Sequence, residues 1–281
     1  MNTTTAGQKN RKPLVIVLAV CGAVLAILLL ALFALQAFNS SKNRLQDYPD
    51  VTVSGEGVKK LNVDVSVYDV IIDCADPDSD SADDFVLTQK RVLTESSLKQ
   101  RGDTLYLTHD VEPLSFSGPF SSPWPVELTI PAKHCDNNTP ASLDAVLHAG
   151  AGVINATGNF KQLETHIETG VVKVRGAAAN VDAQIGAGEI DMRLQDVETA
   201  DIRVGSGAMR GDFTGKTPTN VVADVQTGEL NLGLPEGNYQ TDIDTGVGSV
   251  TNDLRDSVDG DVGKITVNVS IGGVKLYNVV R

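Results

Sequence analysis

Aromatic side chains make up only 5% of the chain, with a single tryptophan, so any core it builds must be aliphatic. No nucleophile–base pairing, zinc-ligand spacing or phosphate-binding glycine loop is recognisable, so no motif points to a serine- or cysteine-type nucleophile, a zinc site or a bound nucleotide. The Gly-x-Gly pairs at 150–152 and 246–248 sit at strand turns with no helix after them. No catalytic residue and no cofactor is expected. Acidic residues are missing from positions 1–44, which hold Lys9, Arg11, Lys12, Lys42 and Arg44. The remainder therefore carries a formal charge of −18, against −13 for the whole chain of 281 residues. Such a domain repels nucleic acid, so none is expected as a partner; it favours basic partners or divalent cations, and the same charge also serves as solvated surface.

What is abundant is glycine, 26 residues against 11 prolines. Between Leu143 and Leu276 a pattern returns around Gly150, Gly170, Gly188, Gly207, Gly228, Gly246 and Gly272, at spacings of 20, 18, 19, 21, 18 and 26 residues. Three residues before each glycine stands an aliphatic: Leu147, Ile167, Ile185, Val204, Val225, Ile243 and Val269. Seven before it are Leu143, Leu163, Val181, Ala200, Val221, Tyr239 and Ile265, and between the columns lie small or β-branched residues such as Ala145, Thr165 and Ala183. Alternation of period two around a glycine predicts two short strands joined at a tight bend, and excludes a helix. One copy cannot bury its apolar face alone, and a period near twenty residues predicts stacking. The expected fold is all-β, a single-stranded β-solenoid over residues 51–281; a meander or sandwich is the competing architecture.

Residues 14–35 contain no charged side chain and are long enough, at ~1.5 Å per residue, to cross a ~30 Å hydrocarbon layer as a helix. The bases at Lys9, Arg11 and Lys12 favour a cytoplasmic tail at 1–13, leaving the C-terminal domain extracytoplasmic on a single-pass anchor. Residues 36–50 read as a linker. In an oxidising space Cys74 and Cys135 either pair or remain two buried thiols.

Leu61, Val63, Val65, Val70 and Ile72 repeat the strand register with Tyr68 at the turn, an outlying copy. After it comes an acid-rich loop in which Asp76, Asp78 and Asp80 alternate as at the start of a calcium loop, but Ser81 and Leu87 stand where glycine and glutamate are needed. A further loop sets Phe116, Phe120 and Trp124 among prolines; these aromatics either contact a partner or plug the end of the stack. One outward column, six residues before the turn glycine, reads Asp144, Glu164, Asp182 and Asp201. With Asp76, Asp78 and Asp80 these are the cation candidates, and stacked acids also suit a polysaccharide-active or glycan-binding surface. The same alignment puts His148 and His166 in different outward columns.

An N-terminal span, an isolated copy at Leu61 to Ile72, a strand ending in Thr129-Ile130-Pro131 and repeated Thr-Gly, Ala-Gly or Ser-Gly turns together give a family likeness. The chain resembles the bacterial "putative adhesin" domain family over about residues 51–281. The resemblance implies a repetitive β fold in an envelope protein and no catalytic residues. The expectation is a membrane-anchored, non-enzymatic protein for adhesion, scaffolding or envelope signalling, with a protein or glycan partner.

Overall fold

The structure, a computed structural model, describes residues 45–66, 69–92, 94–109, 125–136, 140–254 and 262–279. They form an all-β structure with one short 3-10 turn, Ala132–His134, and strands hydrogen-bonded into one large sheet. Among the described residues no helix is long and apolar enough to cross a membrane. The tail and span expected at 1–13 and 14–35 lie outside the described residues, as do Tyr68, Phe116, Phe120 and Trp124.

The repeats follow one another without a break in β8 (Leu143–Gln195), then occupy β9 (Thr199–Thr214), β10 (Asn220–Leu234), β11 (Asn238–Asp253) and β12 (Val262–Asn278). Pairing is parallel and in register: Asn180 to Gln195 faces Thr199 to Thr214, which in turn faces β10 from Asn220 onward. Register of this kind superimposes equivalent positions of successive copies. Ala183, Ile202, Ala223 and Val267 thus form one inward column, and all are buried. Full burial of a valine or isoleucine stabilises by ~1.5–3 kcal/mol, so each column is a substantial part of the core.

The bends need glycine for two reasons visible at Gly188. Its φ is 143°, and a β-carbon there would collide with the carbonyl oxygen of Gly170 in the adjacent copy. Gly152, Gly170, Gly188, Gly207, Gly228, Gly272 and Gly248 stack on one another in this way. Gly150 and Gly246 are therefore not in the column; the first and sixth copies sit two residues further along than the glycine alignment predicts. A slip of two leaves every side chain on its own face, so alternation cannot detect it.

The stacking order also departs from chain order. The last copy, β12, lies between β10 and β11, with Gly272 facing both Gly228 and Gly248. The side chains explain the exchange: β12 presents Ile265, Val267, Val269, Val274 and Leu276 inward, all buried, whereas β11 offers Thr241, Ile243 and Thr245 at the equivalent positions. The polar copy takes the end. Val247 is 69% exposed there, with Val250 and Ile271 also open to solvent.

At the other end β2 (Lys60–Val65) and β3 (Val70–Cys74) form the expected outlying copy, pairing in parallel with the start of β8. A further layer, β6 (Thr104–His109) on β2 and β7 (Val126–Ile130) on β3, is also parallel. Antiparallel strands then cover this end: β5 (Ser97–Arg101) on β6, β4 (Asp84–Val92) on β7, and β1 (Gln46–Ser54) on β4. Strand β1 takes in residues 46–50, which correct the linker boundary. Cys74 and Cys135 are joined by a disulfide, with Cα atoms 6.1 Å apart, tying β3 to the turn after the 3-10 segment.

Candidate functional site

The in-register stack turns single outward residues into ladders. Closest to the bend runs a column of small residues interrupted by one acid: Gly150, Glu168, Gly186 and Gly205. Beside it run His148, His166, Gln184, Arg203, Asp224 and Asn268, and beyond that Val146, Glu164, Asp182, Asp201 and Val222. Where the glycines supply no side chains, a groove of about 640 Å³ opens along His166, Glu168, Gln184, Gly186, Arg203 and Asp224.

His148 and His166 are thus neighbours in one column, correcting their assignment to different ones. Their rings stack with centroids 5.1 Å apart and planes 22° from parallel. The Nδ1–H of His148 donates to Asp64 Oδ1 at 2.9 Å, and the Nδ1–H of His166 to Gln184 Oε1 at 3.0 Å. Glu168 reaches back toward them, its Oε1 4.0 Å from His148 Nε2. Farther along, Asn268 Nδ2 donates to Asp224 Oδ1 at 2.7 Å.

The predicted acid ladder is shorter than its four members. Val146, not Asp144, aligns with Glu164; Asp144 faces Lys60, one outward position away. Arg203 bonds Asp201 and lies 3.6 Å from Asp182, so two of the three remaining carboxylates share one guanidinium. In the acid loop, Asp76 Oδ1 accepts from the Asp78 backbone at 3.0 Å and the Asp76 carbonyl accepts from Ser79. These bonds shape a turn. Among the described residues, neither Asp76, Asp78 and Asp80 nor Glu164, Asp182 and Asp201 converge as a ligand set; His148, His166 and Glu168 do.

Two further histidines are buried. His109 Nδ1 is 2.7 Å from Ser96 Oγ and its Nε2 3.2 Å from Thr94 Oγ1, while Gln89 bonds the Ser96 backbone. A serine beside a histidine resembles a nucleophile and its base, but His109 is 0% exposed and Ser96 2%, so no substrate reaches them. The network joins β4 to β6. His134 packs against Phe85, among the described residues neither ring nitrogen has a hydrogen bond, and burial, then Lys133 beside it, lowers its pKa to about 4.

The histidine pair escaped the sequence because the two-residue slip at Gly150 shifted His148 out of line. One signal was available: the rings are 18 residues apart, the same separation as Gly170 and Gly188.

Neither a protein-family model nor a curated protein matches the chain. Among solved structures it is similar to a "putative adhesin" of Bacteroides fragilis, at 12% identity and TM-score 0.42, over 81% of this chain and 96% of that one. A "putative cell adhesion protein" of Clostridium sporogenes gives 10% identity and TM-score 0.34, covering 83% and 100%. A "putative adhesin" of Parabacteroides distasonis gives 13% identity and TM-score 0.26, covering 82% and 96%.

Proposed function

We propose that the chain is a non-enzymatic, membrane-anchored envelope protein whose β-solenoid projects outside the cytoplasm and makes adhesive or scaffolding contacts through its open end. The observation that carries this reading is the asymmetry of the stack. Terminal strands with one partner stand at both ends, β1 and β5 at one and β11 at the other, but among the described residues the exposed large hydrophobic side chains, Val247, Val250, Val262 and Ile271, all lie on β11 and its neighbour β12. An uncovered edge with apolar side chains is a template for an added strand, which soluble proteins ordinarily blunt, and a partner protein's extended segment fits it. The apolar run at 14–35 supports anchoring, and the Cys74–Cys135 disulfide supports an oxidising location. The glycan-directed alternative draws less support, since Arg203 occupies two acids of its ladder.

The test is photo-cross-linking in native cells with the probe placed at Val247 in one strain and at Lys99 on β5 in another. Adducts to a defined protein at Val247 and not at Lys99 are expected. Equal labelling at both sites, or none at Val247, contradicts the reading.

A further inference from the structure

The stacked histidines carry an inference independent of the contact surface. We infer that His148, His166 and Glu168 form a binding site for a divalent transition-metal ion of the zinc class.

Both Nδ1 atoms face oxygens that only accept, the Asp64 carboxylate and the Gln184 amide carbonyl. Each Nδ1 therefore carries the proton, and in the neutral ring Nε2 keeps its lone pair. An imidazole held by an oxygen at one nitrogen and open at the other is the arrangement found at metal-ligating histidines, where the outer partner fixes the tautomer and ring direction. Here two such imidazoles stand one strand spacing apart. A ligand atom from each, together with one Glu168 oxygen, lies within 4.8 Å of the others. Tetrahedral zinc with ~2.1 Å bonds places its ligands ~3.4 Å from one another, so small side-chain rotations close the set. His148 and His166 are half-buried and Glu168 is exposed, which leaves the ion reachable from solvent.

The ligand chemistry selects the ion. Two imidazoles and a carboxylate suit zinc, copper or nickel; calcium and magnesium want more oxygens than this face offers. Glu168 is needed as the anionic member, and it is the one acid among the stacked positions Ser66, Gly150, Glu168, Gly186 and Gly205. Three protein ligands leave a fourth position for water or for a donor from a bound molecule.

The experiment is calorimetric titration of zinc chloride into the untagged full chain in detergent, after removal of metal by chelation. One equivalent is expected to bind with micromolar or tighter affinity. His148→Ala and His166→Ala should each abolish that phase, and Asp64→Asn, which alters only the outer partner, should weaken it ~10–100-fold. Asp182→Asn should leave it unchanged, and unaltered melting temperatures without metal would show that the variants fold. Absence of zinc binding by the native chain, or binding of equal affinity in both histidine variants, would overturn the site.

Discussion

Thr165 lies in the inward column beside Ala183, 1% exposed, with no hydrogen-bond partner for its hydroxyl among the described residues. A buried hydroxyl in that condition costs about 1–3 kcal/mol, and valine fills nearly the same space with the same preference for strands. Thr165→Val should raise the unfolding free energy by about 1 kcal/mol in urea titration; a loss of stability would mean that the hydroxyl is bonded in solution. His134 supplies a pH signature. Its folded pKa, lowered to about 4 by burial and then by Lys133, lies below the unfolded value near 6.5. The unfolded chain binds this proton first as pH falls. Its stabilisation is therefore complete above about pH 6.5, declines between there and about pH 4, and is flat below, a change on the order of 3 kcal/mol. His134→Leu should remove that part of the slope when stability is followed against pH. Neither feature was legible in the sequence: Thr165 matched its column as a small residue, and nothing local marks His134 as buried.

At the scale of the element, the copies are held by their glycine stack. An alanine at Gly188 would need a positive φ and would meet a carbonyl oxygen of the next copy, whereas a β-carbon at Gly273 has no atom nearer than 3.7 Å. Gly188→Ala should cost about 2–4 kcal/mol, and Gly273→Ala should stay within about 0.5 kcal/mol. Equal effects would show that the stack relaxes around a methyl group. The disulfide acts on the opposite end, closing a separation of 61 residues, so replacing Cys74 and Cys135 by serine should remove about 4 kcal/mol. Denaturation with and without reductant measures it. Period, strand parity and the aliphatic columns were legible because each copy repeats the same physical problem of burying one face. Register stayed ambiguous where Gly150 and Gly152, or Gly246 and Gly248, offered two candidates of one parity, although the pattern resumes two residues late in those copies, at Ile154 and Val250. That ambiguity hid the histidine pair and brought Asp144 into the acid ladder.

At the scale of the molecule, the stack has two unlike ends: antiparallel strands at one, and at the other the polar copy β11, placed there by its exchange with β12. In chain order the copy around Gly272 comes last, yet it is not the terminal one in the stack. Relative apolarity held the answer, since the inward positions of β11 include Thr241 and Thr245 where β12 has Ile265 and Val269, and a period-based alignment gives such composition no weight. The antiparallel strands and the disulfide lie toward one end of the stack, and β11 forms the other. Hydrogen exchange of the free chain tests this arrangement most directly. Strand β12 is paired on both sides, while among the described residues β11 has no strand on its outer side to accept from its alternate amides. The amides of β11 should therefore exchange much faster than the aligned ones of β12, despite β12 being later in the chain. Equal protection in both strands, or faster exchange in β12, would contradict the open end on which the proposed contact rests.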